Sequence, residues 1–170
     1  AALLAKTFYD LETKAITTEY HKSVDDQITS IEREITYKFE ALYAIKGLFD
    51  SSENVSAEEF YAITTQILAR HRNIQALEWI PKVKKEQRAI FEARRQQHYP
   101  EFQIIERKQQ GQMVSAAVRD EYFPVYYVEP LSGNEAAFGF DLASSSKRLH
   151  ALNLSRRSGK LVATSSITLV

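Results

Sequence analysis

The 170-residue chain has no cysteine. That excludes a disulfide framework, thiolate zinc sites and a cysteine nucleophile. It has no excess of charge either: 22 Lys and Arg balance 22 Asp and Glu, and the isoelectric point is near 7.1. A neutral chain argues against a nucleic-acid module or an acidic tail. No run approaches the roughly 18 uninterrupted apolar residues of a transmembrane helix. No signal-peptide pattern opens the chain, which reads as a soluble piece of a parent protein. Proline and glycine are sparse, at 4 and 5 residues, and residues 1–49 hold no proline and only Gly47. What is present is ordinary globular usage, 44% hydrophobic and 26% charged. That is enough for one domain with a buried core and a second small piece.

Charge is unevenly placed. Residues 1–55 carry 6 basic and 10 acidic side chains, whereas residues 70–110 carry 10 basic and 5 acidic. Solvated helix faces of opposite sign explain this, and so does a pairing of the two segments within or between chains.

The proline-free stretch predicts one long helix over about 1–49. Val24, Ile28, Ile31, Ile35, Phe39 and Leu42 repeat close to a heptad seam, and Leu4, Phe8, Leu11 and Ala15 extend it forward. Charged flanks (Asp25, Asp26, Glu32, Arg33, Glu34, Lys38) leave the stripe narrow. At about 1.5 Å per residue the helix spans roughly 70 Å, more than a small domain needs. A stalk or dimer seam follows. The alternative is a two-helix hairpin bent where the pattern loosens, at Thr17–His21.

Ser51–Asn54 reads as a loop, and Ser56 with Glu59 forms a capping-box pattern opening a helix to about Arg72. Strands are expected at 74–80, 102–107, 113–118, 122–128 and 137–142, with a charged helix at 84–98 that turns Ile90 and Phe91 inward. Pro124 marks an edge, a bulge or a strand start. Ser144 and Ser145 are placed to cap a helix that Gly159 closes. The final run, 161–170, looks like a strand cut short. Strands that come late and close together, flanked by helices, predict an α+β fold with a mainly antiparallel sheet.

Catalytic motifs are missing. There is no phosphate-binding glycine loop, dinucleotide fingerprint or nucleophile elbow, and nothing in the sequence implies a cofactor. The four histidines, His21, His71, His98 and His150, do not pair at ligand spacing, so no metal site is expected. Serines at 144–146 and 165–166 have no local base. The carboxylates around the aromatic run are more informative. Asp120 and Glu121 precede Tyr122–Tyr127, and Glu129 follows it. A carboxylate beside an aromatic sheet face can bind a ligand that also stacks there. Strand alternation sends Asp120 and Glu121 to opposite faces. A salt bridge to Arg119 or Arg88 would instead give one of them a structural role. Arg148, after Asp141, reads as a surface or structural residue.

Several strings resemble the CHASE sensory domain in that family's order: Trp79-Ile-Pro-Lys-Val83, Arg88, Phe91-Glu92 and Phe102-x-Ile104-x-Glu106. Tyr122-Phe-Pro-Val-Tyr-Tyr-Val-Glu-Pro130, Gly139-Phe-Asp-Leu142, Arg148 with Ala151, and Gly159 continue the series to the end. Together they span roughly residues 75–170, and their style is bacterial. The resemblance implies a sensor module of a transmembrane receptor, outside the cytoplasmic membrane and flanked by membrane helices not in this chain. The parent would be a histidine kinase, a diguanylate cyclase or phosphodiesterase, or an adenylyl cyclase. The implied fold is a long N-terminal helix with two PAS-like lobes, dimerising along the helices. Residues 1–54 would be the stalk, 55–158 the membrane-distal lobe and 159–170 the start of a truncated second lobe. Plant members bind adenine-type cytokinins through an acidic side chain. Arg119-Asp120-Glu121-Tyr122-x-Pro124-Val125 resembles the segment near that pocket, which points to Asp120. The strand after Pro124 departs from plant members in being more aromatic (Tyr126, Tyr127), which argues against carrying over cytokinin specificity.

Three functions are therefore in play. The first is a periplasmic sensor of a small organic molecule, part of an inner-membrane protein, with Asp120, Tyr122, Tyr126 and Trp79 as contacts. The second is a homodimerisation scaffold with a vestigial pocket. The third, a hydrolase, lacks a nucleophile–base pair. A cavity beside Asp120 would separate the first two.

Overall fold

Helix formation across fifty residues needs only that nothing interrupts it. In the computed structural model α1 runs unbroken over Ala2–Ser51. Residues 2–108 and 111–169 are described, with backbone only at 2–5, 7, 8 and 10. The seam at Leu4 and Phe8 thus lies outside the described side chains. The helix is not interrupted at Thr17–His21. There Thr17 and Thr18 donate their hydroxyls to the carbonyls of Thr13 and Lys14, each at 2.8 Å, so polar β-branched residues are accommodated within the helix. The chain divides into two compact units, Ala1–Lys46 and Gly47–Val170. In the first, the seam residues Ile28, Ile31, Ile35, Phe39 and Leu42 are all exposed. Among the described residues no helix is long and apolar enough to cross a membrane.

The second unit is α+β. α2 (Ala57–Arg70) starts at the expected capping box: Glu59 N–H donates to Ser56 Oγ, and Ser56 N–H to the Glu59 carboxylate. Its buried face carries Phe60 and Thr64. α3 (Arg88–Gln96) follows a 3-10 turn at Lys85–Gln87. α4 (Ser146–Ser158) ends on Gly159 in the left-handed conformation, as expected; its N-cap Ser145 makes no side-chain cap bond, and Ser144 Oγ turns back to donate to Asp141 O.

Among the described residues six short strands make three antiparallel pairs: β1 (Leu77–Trp79) with β6 (Tyr127–Glu129), β2 (Val83–Lys84) with β5 (Glu121–Tyr122), and β3 (Ile105–Arg107) with β4 (Met113–Ser115). In register, Glu78 faces Val128, Val83 faces Tyr122 and Glu106 faces Val114. Backbone bonds join the pairs into one layer. Val125 N–H reaches Phe140 O, Leu142 N–H reaches Phe123 O, and Asp141 N–H reaches Ile105 O. The expected strand 122–128 is split because Pro124 has no N–H to donate and the Asp141 carboxylate takes the Phe123 amide. The expected strand 137–142 is replaced by 3-10 turns at Glu135–Ala137 and Leu142–Ser144, leaving isolated bridges at Phe140 and Asp141. Gly139 lies between them at φ +80°, where a Cβ would sit 2.3 Å from Gln103 O.

Two further expectations fail. Ile90 is 62% exposed, whereas Phe91 packs on the core of Val83, Ile104, Ala116 and Tyr122. Residues 161–169 form no strand, because their carbonyls serve side-chain cations instead. Lys147 Nζ donates to Ser166 O, Arg148 Nη2 to Thr168 O and Arg107 Nη1 to Leu169 O.

Candidate ligand-binding site

α3 turns one stripe, Arg88, Phe91, Glu92 and Arg95, towards the sheet, at the 3- and 4-residue spacing of a helix face. The two arginines of this stripe have different fates. Arg88 is saturated: it donates to the carbonyls of Ala116 and Ile104, to Ser115 Oγ, to Tyr122 Oη and to the Glu92 carboxylate. Glu92 in turn accepts Ile104 N–H at 2.8 Å. This group clamps β3, β4 and β5 to the helix.

Arg95 is 7% exposed and far less well served. Its guanidinium carbon lies 4.4 Å from the ring centre of Tyr99, 4.5 Å from Tyr126, 5.0 Å from Tyr127 and 5.3 Å from Phe138. Nη2 donates to Tyr126 O at 3.1 Å, and the buried Nε has no partner. Among the described residues Arg95 has no ion pair. Aromatic faces attract a cation, but each contributes only about 0.5–2 kcal/mol, and they supply no hydrogen-bond acceptor in the plane of Nε.

Arg95 lines an open cavity of about 300 Å³. α2 supplies Phe60 and Tyr61, α3 and its exit supply Arg95 and Tyr99, and β6 supplies Tyr127 and Glu129; Phe138 closes one side. Phe60 and Tyr127 are stacked, with centres 5.2 Å apart. Burial pushes the Glu129 carboxyl above its usual range, and burial, then Tyr126, does the same for the Tyr127 phenol. Tyr127 Oη donates to Val55 O at 2.9 Å.

The four residues singled out from sequence do not converge. Asp120 is exposed, lines none of the described cavities, and uses its carbonyl to accept Lys85 N–H. Tyr122 is 1% exposed, and its hydroxyl accepts from Arg119 N–H and Arg88. Trp79 and Tyr126 do come together. They line a second cavity of about 410 Å³, where Trp79 stacks flat on Phe49 with centres 3.4 Å apart. Tyr126 thus touches both the second cavity and Arg95. Glu121 pairs with Lys82 at 2.9 Å and Arg156 at 3.5 Å, and Arg119 pairs with Glu106 and Asp141 rather than with its neighbours. Arg148 lies over the Phe140 ring and lines a polar cavity with Arg107 and Lys147.

Arg95 was not evident from sequence, where Arg94-Arg95 reads as a solvated charge run. Its phase with Phe91, four residues earlier on the same stripe, is the signal that identifies it. Among the described residues no group of three His, Asp or Glu could hold a metal ion.

The sequence model of the CHASE domain matches residues 53–170. No curated protein matches the chain.

Proposed function

Because this chain belongs to the CHASE domain family, whose members are extracytoplasmic sensor modules of signalling receptors and not enzymes, we propose that it senses a small organic molecule bound in the cavity beside Arg95. The observation that carries this reading is a largely buried guanidinium, without a carboxylate partner among the described residues, in the wall of an open cavity. A cation so placed lacks a counter-ion, and a ligand can supply one. Trp79 and Tyr126 line the adjoining cavity and serve as aromatic wall. Adenine-type compounds remain within the ligand range by family resemblance.

Signal output follows from contacts near the end of α1. Phe49, in its last turn, stacks on Trp79, and Tyr127 holds Val55 in the α1–α2 connection. A ligand touching Tyr126 or Tyr127 can bias that connection if it binds one arrangement better than another. The parent would be a periplasm-facing inner-membrane histidine kinase or a diguanylate cyclase or phosphodiesterase.

The test is thermal unfolding of the chain against adenine derivatives, amino acids and carboxylates. A compound at 100 times its dissociation constant adds about 2.7 kcal/mol of stability. Blocking the cavity by Ala57→Trp should abolish the shift; a shift that survives the block would place the ligand elsewhere.

The exposed seam of α1 supports a second reading, homodimerisation through this helix. Sedimentation should show a dimer that Ile31→Glu with Ile35→Glu dissociates. A monomer at high micromolar concentration would count against it.

A further inference from the structure

We infer that the Arg95 cavity takes a small zwitterion of amino-acid type, an amine-bearing carboxylate whose anionic end meets Arg95 and whose cationic end meets Glu129. The inference deepens the ligand-sensing reading and rests on it.

Arg95 and Glu129 line the same cavity. Arg95 is 7% exposed and among the described residues has no ion pair. The Glu129 carboxylate is half-buried, and among the described residues it has neither a hydrogen bond nor an ion pair. Their nitrogen and oxygen atoms are more than 4.0 Å apart, since the two form no salt bridge with each other. A cation and an anion that face one space without meeting are complementary to a molecule with both charges. The alternatives fit less well. A carboxylate without an amine leaves Glu129 unanswered, and an amine without a carboxylate leaves Arg95 unanswered. A phosphate dianion would be repelled by Glu129 and by Glu58 on the cavity wall. The rings of Phe60, Tyr61 and Phe138 provide apolar wall for a side chain. About 300 Å³ lies at the small end of ligand pockets, matching a compact solute.

The probes are three pools at equal concentration: free amino acids, their N-acetyl derivatives, which lack the cation, and their amides, which lack the anion. The free pool should raise the unfolding midpoint by several degrees and the other two should not. Deconvolution identifies the active compound for calorimetry. Arg95→Met should then weaken binding roughly thirtyfold or more, the loss expected when one partner of a buried charge pair is removed. Glu129→Gln, which alters a single oxygen and keeps the fold safe, should erase the preference for the free amine. Equal shifts from the free and N-acetyl pools would overturn the zwitterion, and so would silence from all three pools. Silence from these pools with a shift from adenine derivatives would leave the sensor reading intact. Silence across the whole panel would remove both.

Discussion

Arg119 and Asp141 meet across the sheet layer as an ion pair in which the Asp141 side chain is wholly buried. Asp141 Oδ1 also accepts Phe123 N–H at 2.7 Å and Ala143 N–H at 3.0 Å, and Arg119 Nη2 reaches Glu106. One carboxylate thus ties the 139–142 segment to the exit of β5 and, through Arg119 and Glu106, to β3, with three donors on its two oxygens.

Removing that carboxylate should be costly. Asp141→Ala leaves Arg119 Nη1 and two backbone amides without acceptors and is expected to lower stability by roughly 3–5 kcal/mol. Asp141→Asn keeps an acceptor oxygen and should cost less. Urea unfolding of the two variants checks the order. A loss below about 1 kcal/mol for the alanine variant would mean that water satisfies the orphaned groups.

Gly139 is required by space as well as by conformation. Gly139→Ala places a Cβ against Gln103 O, a backbone atom that cannot swing away, at a positive φ. The expected loss is at least about 2 kcal/mol. Gly133→Ala, at φ +84° with nothing within 4 Å, should cost roughly 1–2 kcal/mol from backbone strain alone. Equal losses in the two variants would show that the close approach to Gln103 is relieved by a shift of β3.

Ser56→Ala removes one half of the capping box on α2 and should lower stability by about 1 kcal/mol, seen as a fall of roughly 2–4 °C in melting temperature. Because α2 carries Phe60 and Tyr61 into the cavity wall, the same variant should weaken ligand binding no more than its stability loss predicts.

Stability should depend on pH through Glu78. Burial raises its pKa above the ordinary 4.5, against a smaller opposing effect of Arg148. The folded chain therefore holds the Glu78 proton more tightly than the unfolded chain. The stabilising contribution is complete below pH 4.5 and is lost as pH rises through the higher folded value. Glu78→Gln should flatten this fall and be the more stable form at pH 7. Denaturant midpoints from pH 4 to pH 8 measure it, and parallel curves for the two proteins would sink the idea. Working from the difference removes the opposite trends of Glu121 and Glu135, whose pKa values are lowered by Lys82 and by backbone amides respectively.

Elements whose energetics are local were legible in the chain. α1 needed only the lack of proline and a single glycine. α2 was announced by Ser56 and Glu59, and the end of α4 by Gly159. The ordered strings from Trp79 to Gly159 identified the family. The strands were found, but not their interruptions, because these depend on partners distant in sequence. Pro124 breaks the ladder only because Asp141 arrives to take the neighbouring amide, and 137–142 is held to the layer by Ile105 and Val125.

The candidate site was legible in part. Of the four residues singled out, Trp79 and Tyr126 line one cavity, Tyr122 is buried and Asp120 faces solvent. The sequence by itself determined the helices and the α+β class, since propensity, capping and periodicity act between near neighbours. Tertiary structure alone decided which charges are buried. Arg88 and Arg95 sit seven residues apart on one helix stripe and look alike in sequence. The carbonyls of Ile104 and Ala116 saturate one, whereas the rings of Tyr99, Tyr126, Tyr127 and Phe138 surround the other and leave its Nε unanswered.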